Sequence, residues 1–248
     1  MPYRVSADLH IHTTLSPCAE PEMIPANVVS VALASGLQVI AVTDHNSAGN
    51  VEPFMRAGKN NNLIVIPGME LQTREEVHLV CLFTSLNAVS AFSDTIYSFL
   101  PARPNQPAFF GEQNYVDEFG NIVGSEPKLL INSVELGIDD AFAIVRENGG
   151  LCIPAHIDRP SYSILANLGL IPSSPAFDAL EISRRVKLAD LESRLIGLSG
   201  YRLIRSSDAH RLCEIGLCRT VLEVEEYSVQ GVLKAITRLE GGPPSSWD

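Results

Sequence analysis

Apolar and polar positions along the chain alternate between two periods. From Arg4 to His12 the apolar residues Val5, Ala7, Leu9 and Ile11 fall on every second position, the repeat of a half-buried strand. Met23 to Ser35 then follows helical spacing and stops at Gly36. The same reading predicts strand 38–43, helix 51–60, strand 63–67, strand 77–83 and helix 88–100. Asp139 or Asp140 is placed to cap a helix reaching Asn148, with Gly149 and Gly150 ending it. Strands 151–155 and 179–182, helix 188–198, strand 201–206, strand 219–224 and helix 228–239 follow. Such alternation implies parallel strands with helices packed outside them, as a barrel or a doubly wound sheet.

Residues 101–136 interrupt the rhythm. Pro101, Pro104 and Pro107 precede a polar, aromatic run with a turn at Gly120-Asn121. Connections this long usually bind or cover something, so a small hairpin over 115–123 acting as a lid is expected. The Gly/Pro/Ser-rich end, 241–248, is expected to fray. The chain shows no internal repeat, and a single domain over 1–248 is the expectation.

Composition narrows the function classes. A chain of 248 residues with 46% hydrophobic and 19% charged residues suits one globular domain. A net charge of −11 argues against an extended nucleic-acid or anionic-membrane surface, which needs clustered Lys and Arg. An anionic small molecule stays within reach, because bound metals reverse the local field. The cysteines Cys18, Cys81, Cys152, Cys213 and Cys218 are odd in number, and Cys81 and Cys152 lie in apolar runs. Free thiols in a reducing compartment are expected. With no basic-then-apolar start and no apolar run near ~18 residues, the expectation is a cytoplasmic protein with no membrane contact.

The histidines carry the chemistry. His10 and His12 end the first strand, two residues apart and so on one face. His45 follows the second strand, His156 follows strand 151–155, and His210 lies just past strand 201–206. These five fall at the carboxyl ends of predicted strands, where α/β barrels gather their active-site groups. His78 instead opens its strand, which predicts an antiparallel segment or a tight turn there. Glu70, Asp208 and Glu20 occupy matching places, and imidazole with carboxylate suits zinc, manganese or iron. Adjacent ions need a bridging carboxylate, which Glu70 or Asp208 can supply. Asp8 and Asp44 neighbour ligands and are expected either to hold imidazole N–H groups or to shape the turn.

Asp8-Leu9-His10-Ile11-His12-Thr13, Thr43-Asp44-His45-Asn46, Gly68-Met69-Glu70, His78, Pro154-Ala155-His156 and Ser207-Asp208-Ala209-His210 resemble the motifs of the PHP (polymerase and histidinol phosphatase) family. The resemblance spans residues 8 to 210. It implies an α/β fold, a distorted barrel of seven β/α units, with two or three divalent metals at the carboxyl end of the strands. By the same resemblance the first metal takes His10, His12, Glu70 and Asp208, and the second shares Glu70 and adds His78 and His156. The third takes His45 and His210 with a ligand from the loop after His12. That loop departs from the family pattern; Glu20 is the choice there, with Glu22 and Cys18 as competitors.

The resemblance implies a phosphoesterase acting on a small phosphomonoester or phosphodiester through metal-activated hydroxide, with Glu70 and Asp208 at its catalytic heart. Arg159 and Arg184 are candidates for gripping the phosphate. The expected partner is a small phosphorylated substrate. Within enzymes the alternative is an amidohydrolase, disfavoured because Glu70 stands where that family often places a modified lysine. A metal-containing binding module without turnover is the alternative outside enzymes. The length of the chain argues against a replicative polymerase but leaves room for a nuclease-like role.

Overall fold

The protein, seen as a computed structural model, is described over residues 2–186, 198 and 200–238. The expected helix 188–198 and the tail 241–248 lie outside the described residues, save Leu198. The strands are β1 (Tyr3–Ile11), β2 (Val39–Val42), β3 (Ile64–Gln72), β4 (His78–Leu82), β5 (Asn114–Val116), β6 (Ile122–Ser125), β7 (Leu151–Pro154), β8 (Leu180–Ile182), β9 (Leu203–Arg205) and β10 (Thr220–Val224). The helices are α1 (Pro25–Ala34), α2 (Val51–Asn60), α3 (Leu86–Phe99), α4 (Pro107–Phe110), α5 (Ile138–Glu147), α6 (Ile164–Leu168) and α7 (Val229–Arg238).

The fold is mixed α/β, built on a curled sheet ordered β10-β1-β2-β3-β4-β7, with β8 and β9 as a separate parallel pair. Among the described residues the strands do not make up the full seven-unit barrel expected. In the main sheet, again among the described residues, only β1, β2 and β3 run parallel; β10 is antiparallel to β1, and β4 to both of its neighbours. The physical reason lies at 73–77, a turn far too short for the crossover that parallel pairing requires. The chain therefore reverses, and His78 pairs with Gln72 at the far end of β3. An antiparallel β4 is what brings His78 to the same rim as the other histidines.

Alternation along the strands divides the core. Val39 and Ala41, Val80 and Leu82, and Leu151 and Ile153 join the α7 residues Val232, Leu233, Ala235 and Ile236 in one cluster. Ile40 and Val42, Leu79 and Cys81, and Cys152 face the other way, in a cluster shared with Val28 of α1, Phe54 of α2 and Phe92 of α3. Each such aliphatic side chain contributes about 1.5–3 kcal/mol through burial. In β1 the alternation changes over: Val5, Ala7 and Leu9 belong to the first cluster and Ile11 to the second. The β1–β2 register shifts between Asp8 and Ile11, just where this happens and where His10 lies.

Residues 101–136 contain α4 and the antiparallel β5–β6 hairpin. The segment is tied to the loop after His12: Asn114 N–H donates to the Thr14 carbonyl at 2.9 Å. At Gly111, with φ of +100°, a Cβ would stand 2.0 Å from the Pro17 carbonyl oxygen, so no other residue fits. At α5, Gly137 holds the N-cap position, while Asp139 and Asp140 lie in the first turn, where negative charge is favoured. Among the described residues no helix is long and apolar enough to cross a membrane.

Candidate metal centre

Glu70, in β3, is 1% exposed, and its two carboxylate oxygens lie against five imidazoles. The distances are 3.2 Å to His10, 3.2 Å to His12, 3.0 Å to His45, 2.8 Å to His78 and 3.2 Å to His156. A carboxylate offers about four lone-pair directions, so the five rings cannot all donate to it. His10 Nε2 and His12 Nε2 face each other at 3.2 Å, and the buried Nδ1 atoms of His45 and His156 have no hydrogen-bond partner. Nitrogen facing nitrogen, with orphaned ring nitrogens around a buried carboxylate, fits divalent cations between them. Three sets bring their ligand atoms within 4.8 Å of one another: His10, His12 and Asp208; His45, Glu70 and His78; His12, His45 and His210.

The rings are held from behind. Glu181, in β8, accepts from His10 Nδ1 at 2.9 and 3.2 Å and from the His156 backbone N–H at 3.1 Å, which leaves His10 Nε2 for the site. His12 Nδ1 lies 2.9 Å from Ser16 Oγ, which donates to Asp44 at 2.6 Å. Gln72 Oε1 is 3.0 Å from His78 Nε2. Asn46, His156 and Asp208 adopt left-handed φ values of 48°, 31° and 52°. Strain of this kind costs about 1–3 kcal/mol per residue and collects at functional sites.

Several expected roles change. Asp44 accepts from the Thr13 N–H and hydroxyl and from Ser16, and Asp8 accepts the Ser207 and Gly216 N–H groups at 2.9 Å. Neither accepts a hydrogen bond from an imidazole, so both follow the turn-shaping alternative. Glu181, which does, escaped the sequence reading. Its signal was a carboxylate inside the apolar run Ala179-Leu180-Glu181-Ile182, a charge that cannot be buried without partners. Glu20 is half-exposed and lies 3.3 Å from Arg211 Nε, whereas Cys18 lines a cavity together with His210. Arg159 pairs with Asp208 at 2.6 Å, and Arg184 with Glu214 at 2.6 Å.

Burial works against every charge here, and proximity decides which survive. Burial alone would lower His10, but Glu181, Glu70 and Asp208 hold it well above the ordinary histidine range. His12 is likewise lifted to about 9, by Asp208 and Glu70 against burial. Burial prevails at His78, lowered to about 4, and at His210, lowered to about 3 with His12 adding repulsion. Burial would raise Glu70, yet His78, His10 and His45 hold it well below the carboxylate range.

Beside these groups a cavity of about 230 Å³ is lined by Asp208 and His210, with Cys18, Arg159, Arg184, Arg185, Arg211 and Glu214 around them.

The PHP domain profile matches residues 8–145, and a PHP-associated profile matches 199–240. The chain belongs to the PHP domain family. This PHP chain is 36% identical to an uncharacterised protein of Methanocaldococcus jannaschii over 79 residues, which cover 29% of this chain and 46% of that one. Its structure resembles the lesion-specific endonuclease Q of Pyrococcus furiosus with a TM-score of 0.71 and 18% identity, over 96% of this chain and 57% of that one. An endonuclease Q complex with a 27-mer duplex, an abasic lesion at its active site, gives 0.73 and 17%, over 96% and 58%. A protein described as a metal-dependent phosphoesterase, from Bifidobacterium adolescentis, gives 0.55 and 18%, over 85% and 89%. The chain thus spans less than two thirds of the M. jannaschii relative and of endonuclease Q, and at these structural identities the likeness is one of fold.

The expected membership of the PHP domain family stands. The expected partner does not. The resemblance implied a small phosphorylated substrate and the net charge argued against an extended nucleic-acid surface, yet a chain of this fold holds a DNA duplex. Net charge sums the whole surface, while a phosphate feels only the local field. Here four arginines line one cavity of an acidic protein.

Proposed function

We propose that this PHP chain is a metal-dependent phosphoesterase that cleaves phosphodiester bonds in a nucleic-acid strand. The observation that carries the proposal is the cavity beside Asp208 and His210, where Arg159, Arg184, Arg185 and Arg211 outnumber the carboxylates Asp208 and Glu214. In this reading the ions are two or three of zinc, manganese or iron. His10, His12, Glu70 and Asp208 would hold one, and Glu70, His78 and His156 a second. His45 and His210, with His12 close to both, would hold the third, and Cys18 would be the loop's ligand in place of Glu20, whose carboxylate lies 3.3 Å from Arg211.

Divalent ions bound there supply an acidified water and positive charge for phosphate oxygens. The chain's own part is to bind and orient. Arg159 uses one of its five N–H donors on Asp208, and the rest of its planar fork suits the non-bridging oxygens of a phosphodiester. Arg184 is braced by Glu214, whose other oxygen accepts the His210 backbone N–H at 2.9 Å, so arginine and ligand share one support. Hydrolysis adds water across one P–O bond, leaving a phosphomonoester and an alcohol.

End-labelled single-stranded and duplex oligonucleotides, intact or carrying one abasic site, test this with Mn²⁺ or Zn²⁺ and a chelator control. Metal-dependent strand cleavage that disappears in Glu70→Ala is expected. Metal-loaded protein that hydrolyses p-nitrophenyl phosphate or an amide but cuts no oligonucleotide would refute the proposal.

A further inference from the structure

We infer that Tyr162 is a specificity-determining residue of this site, the surface on which the base next to the scissile phosphate stacks. The inference rests on the nucleic-acid reading above and names the part of the substrate recognised.

Tyr162 has a φ of +55°, a left-handed conformation in which a bulky side chain is sterically disfavoured. Core packing does not account for it, since the residue remains 46% exposed. The ring is instead laid on His78, with centroids 5.0 Å apart and planes 26° apart, and the Tyr162 carbonyl accepts the His78 N–H at 3.1 Å. His78 in turn is 2.8 Å from Glu70, and its ring is 5.3 Å from that of His156. The tyrosine therefore stands one imidazole away from the carboxylate at the centre of the site.

The segment carrying it is braced along its length. Asp158 accepts both the N–H of Ser183, at 2.6 Å, and its hydroxyl, at 2.5 Å. Arg159 N–H donates to the His156 carbonyl, and Ser163 Oγ donates to the Arg159 carbonyl at 2.7 Å while capping α6. Residues 156–163 thus present a candidate ligand, a cavity-lining arginine and an exposed ring from one anchored stretch. A nucleotide keeps its base one sugar ring away from its phosphate. Tyr162 follows Arg159 by three residues in this stretch, so its ring would serve the nucleotide whose phosphate that arginine grips. Stacking on aromatic side chains tolerates any base, because every base has a π-face.

A residue that merely covered His78 would do so equally well as leucine, and this separates the two roles. After the cut position is mapped, kcat and KM are measured on oligonucleotides with a normal base or an abasic analogue beside that bond. Tyr162→Leu is expected to raise KM roughly 5- to 150-fold on the base-bearing strand alone, with metal content unchanged. Tyr162→Phe is expected to behave as the parent protein. Equal KM changes on both strands, or loss of metal with the base-to-abasic ratio intact, would overturn the inference. Should the leucine variant not fold, 2-aminopurine at the same position reports on the unaltered protein: stacking quenches its fluorescence on binding, and the absence of quenching overturns the inference as well. Failure of the nuclease reading is distinct, since the unaltered protein would then cut no oligonucleotide at all.

Discussion

Glu181→Gln preserves the shape of a side chain in β8 and removes one negative charge from beside His10. The carboxylate is 1% exposed, accepts from His10 Nδ1 at 2.9 Å and from the His156 N–H at 3.1 Å, and so stands behind two candidate ligands at once. Burial lowers the His10 pKa, and the charge of Glu181 is the largest influence raising it. A neutral amide makes the imidazole a poorer donor through Nε2. His10 Nδ1 and the His156 N–H both lie on one oxygen, Oε2, so an amide oxygen there keeps both bonds but without the charge that strengthens them, roughly halving each. Partners behind histidine ligands typically account for roughly 10- to 100-fold in metal affinity, about 1.4–2.8 kcal/mol. Zn²⁺ affinity measured by competition with a chromophoric chelator is expected to fall within that range, with circular dichroism showing an intact fold. An affinity within about twofold of the parent, in a folded variant, would refute the role given to Glu181.

Glu70→Ala is expected to eliminate phosphoester hydrolysis and lower metal stoichiometry together, read by elemental analysis beside turnover; near-normal activity would remove Glu70 from the centre. Cobalt-loaded protein is expected to show a thiolate-to-metal absorption band that Cys18→Ser abolishes and Glu20→Gln leaves in place; absence of that band, with visible cobalt bands that Glu20→Gln alters and Cys18→Ser does not, would restore Glu20 as the ligand. Metal uptake near neutral pH is expected to release protons, because His12 and His45, pulled down by burial but lifted by their neighbours, reach about 9 without metal. Raised from 6.5, these two stabilise the metal-free protein fully below about 6.5, and that contribution is lost as pH rises through about 9. Metal affinity therefore climbs over the same window, and calorimetry in buffers of different ionisation enthalpy counts the protons; none released would contradict the assignment.

The sequence by itself determined which histidines gather at one rim. Spacing of apolar positions located the strands, and a histidine at a strand terminus is held near the rim by the strand it ends, a local constraint that pattern records. His10, His12, His45, His156 and His210 were legible for this reason, and so was the anomaly of His78. Tertiary structure decided how the sheet runs, because the direction of β4 depends on the turn at 73–77 and on pairing with β7, which no local period encodes. It also decided what stands behind the rings. Glu181 reaches His10 across 171 residues of chain, and Ser207 reaches Asp8 across 199, so sequence adjacency pointed to Asp8 and Asp44 while packing chose another carboxylate. The loop after His12 shows the same division. The resemblance pointed to Glu20, ahead of Glu22 and Cys18, whereas the structure sets the Glu20 carboxylate 3.3 Å from Arg211 Nε. Charge followed suit: the total of −11 is a property of the chain, whereas the cluster of Arg159, Arg184, Arg185 and Arg211 exists only once β8, β9 and the loop after β7 are folded together.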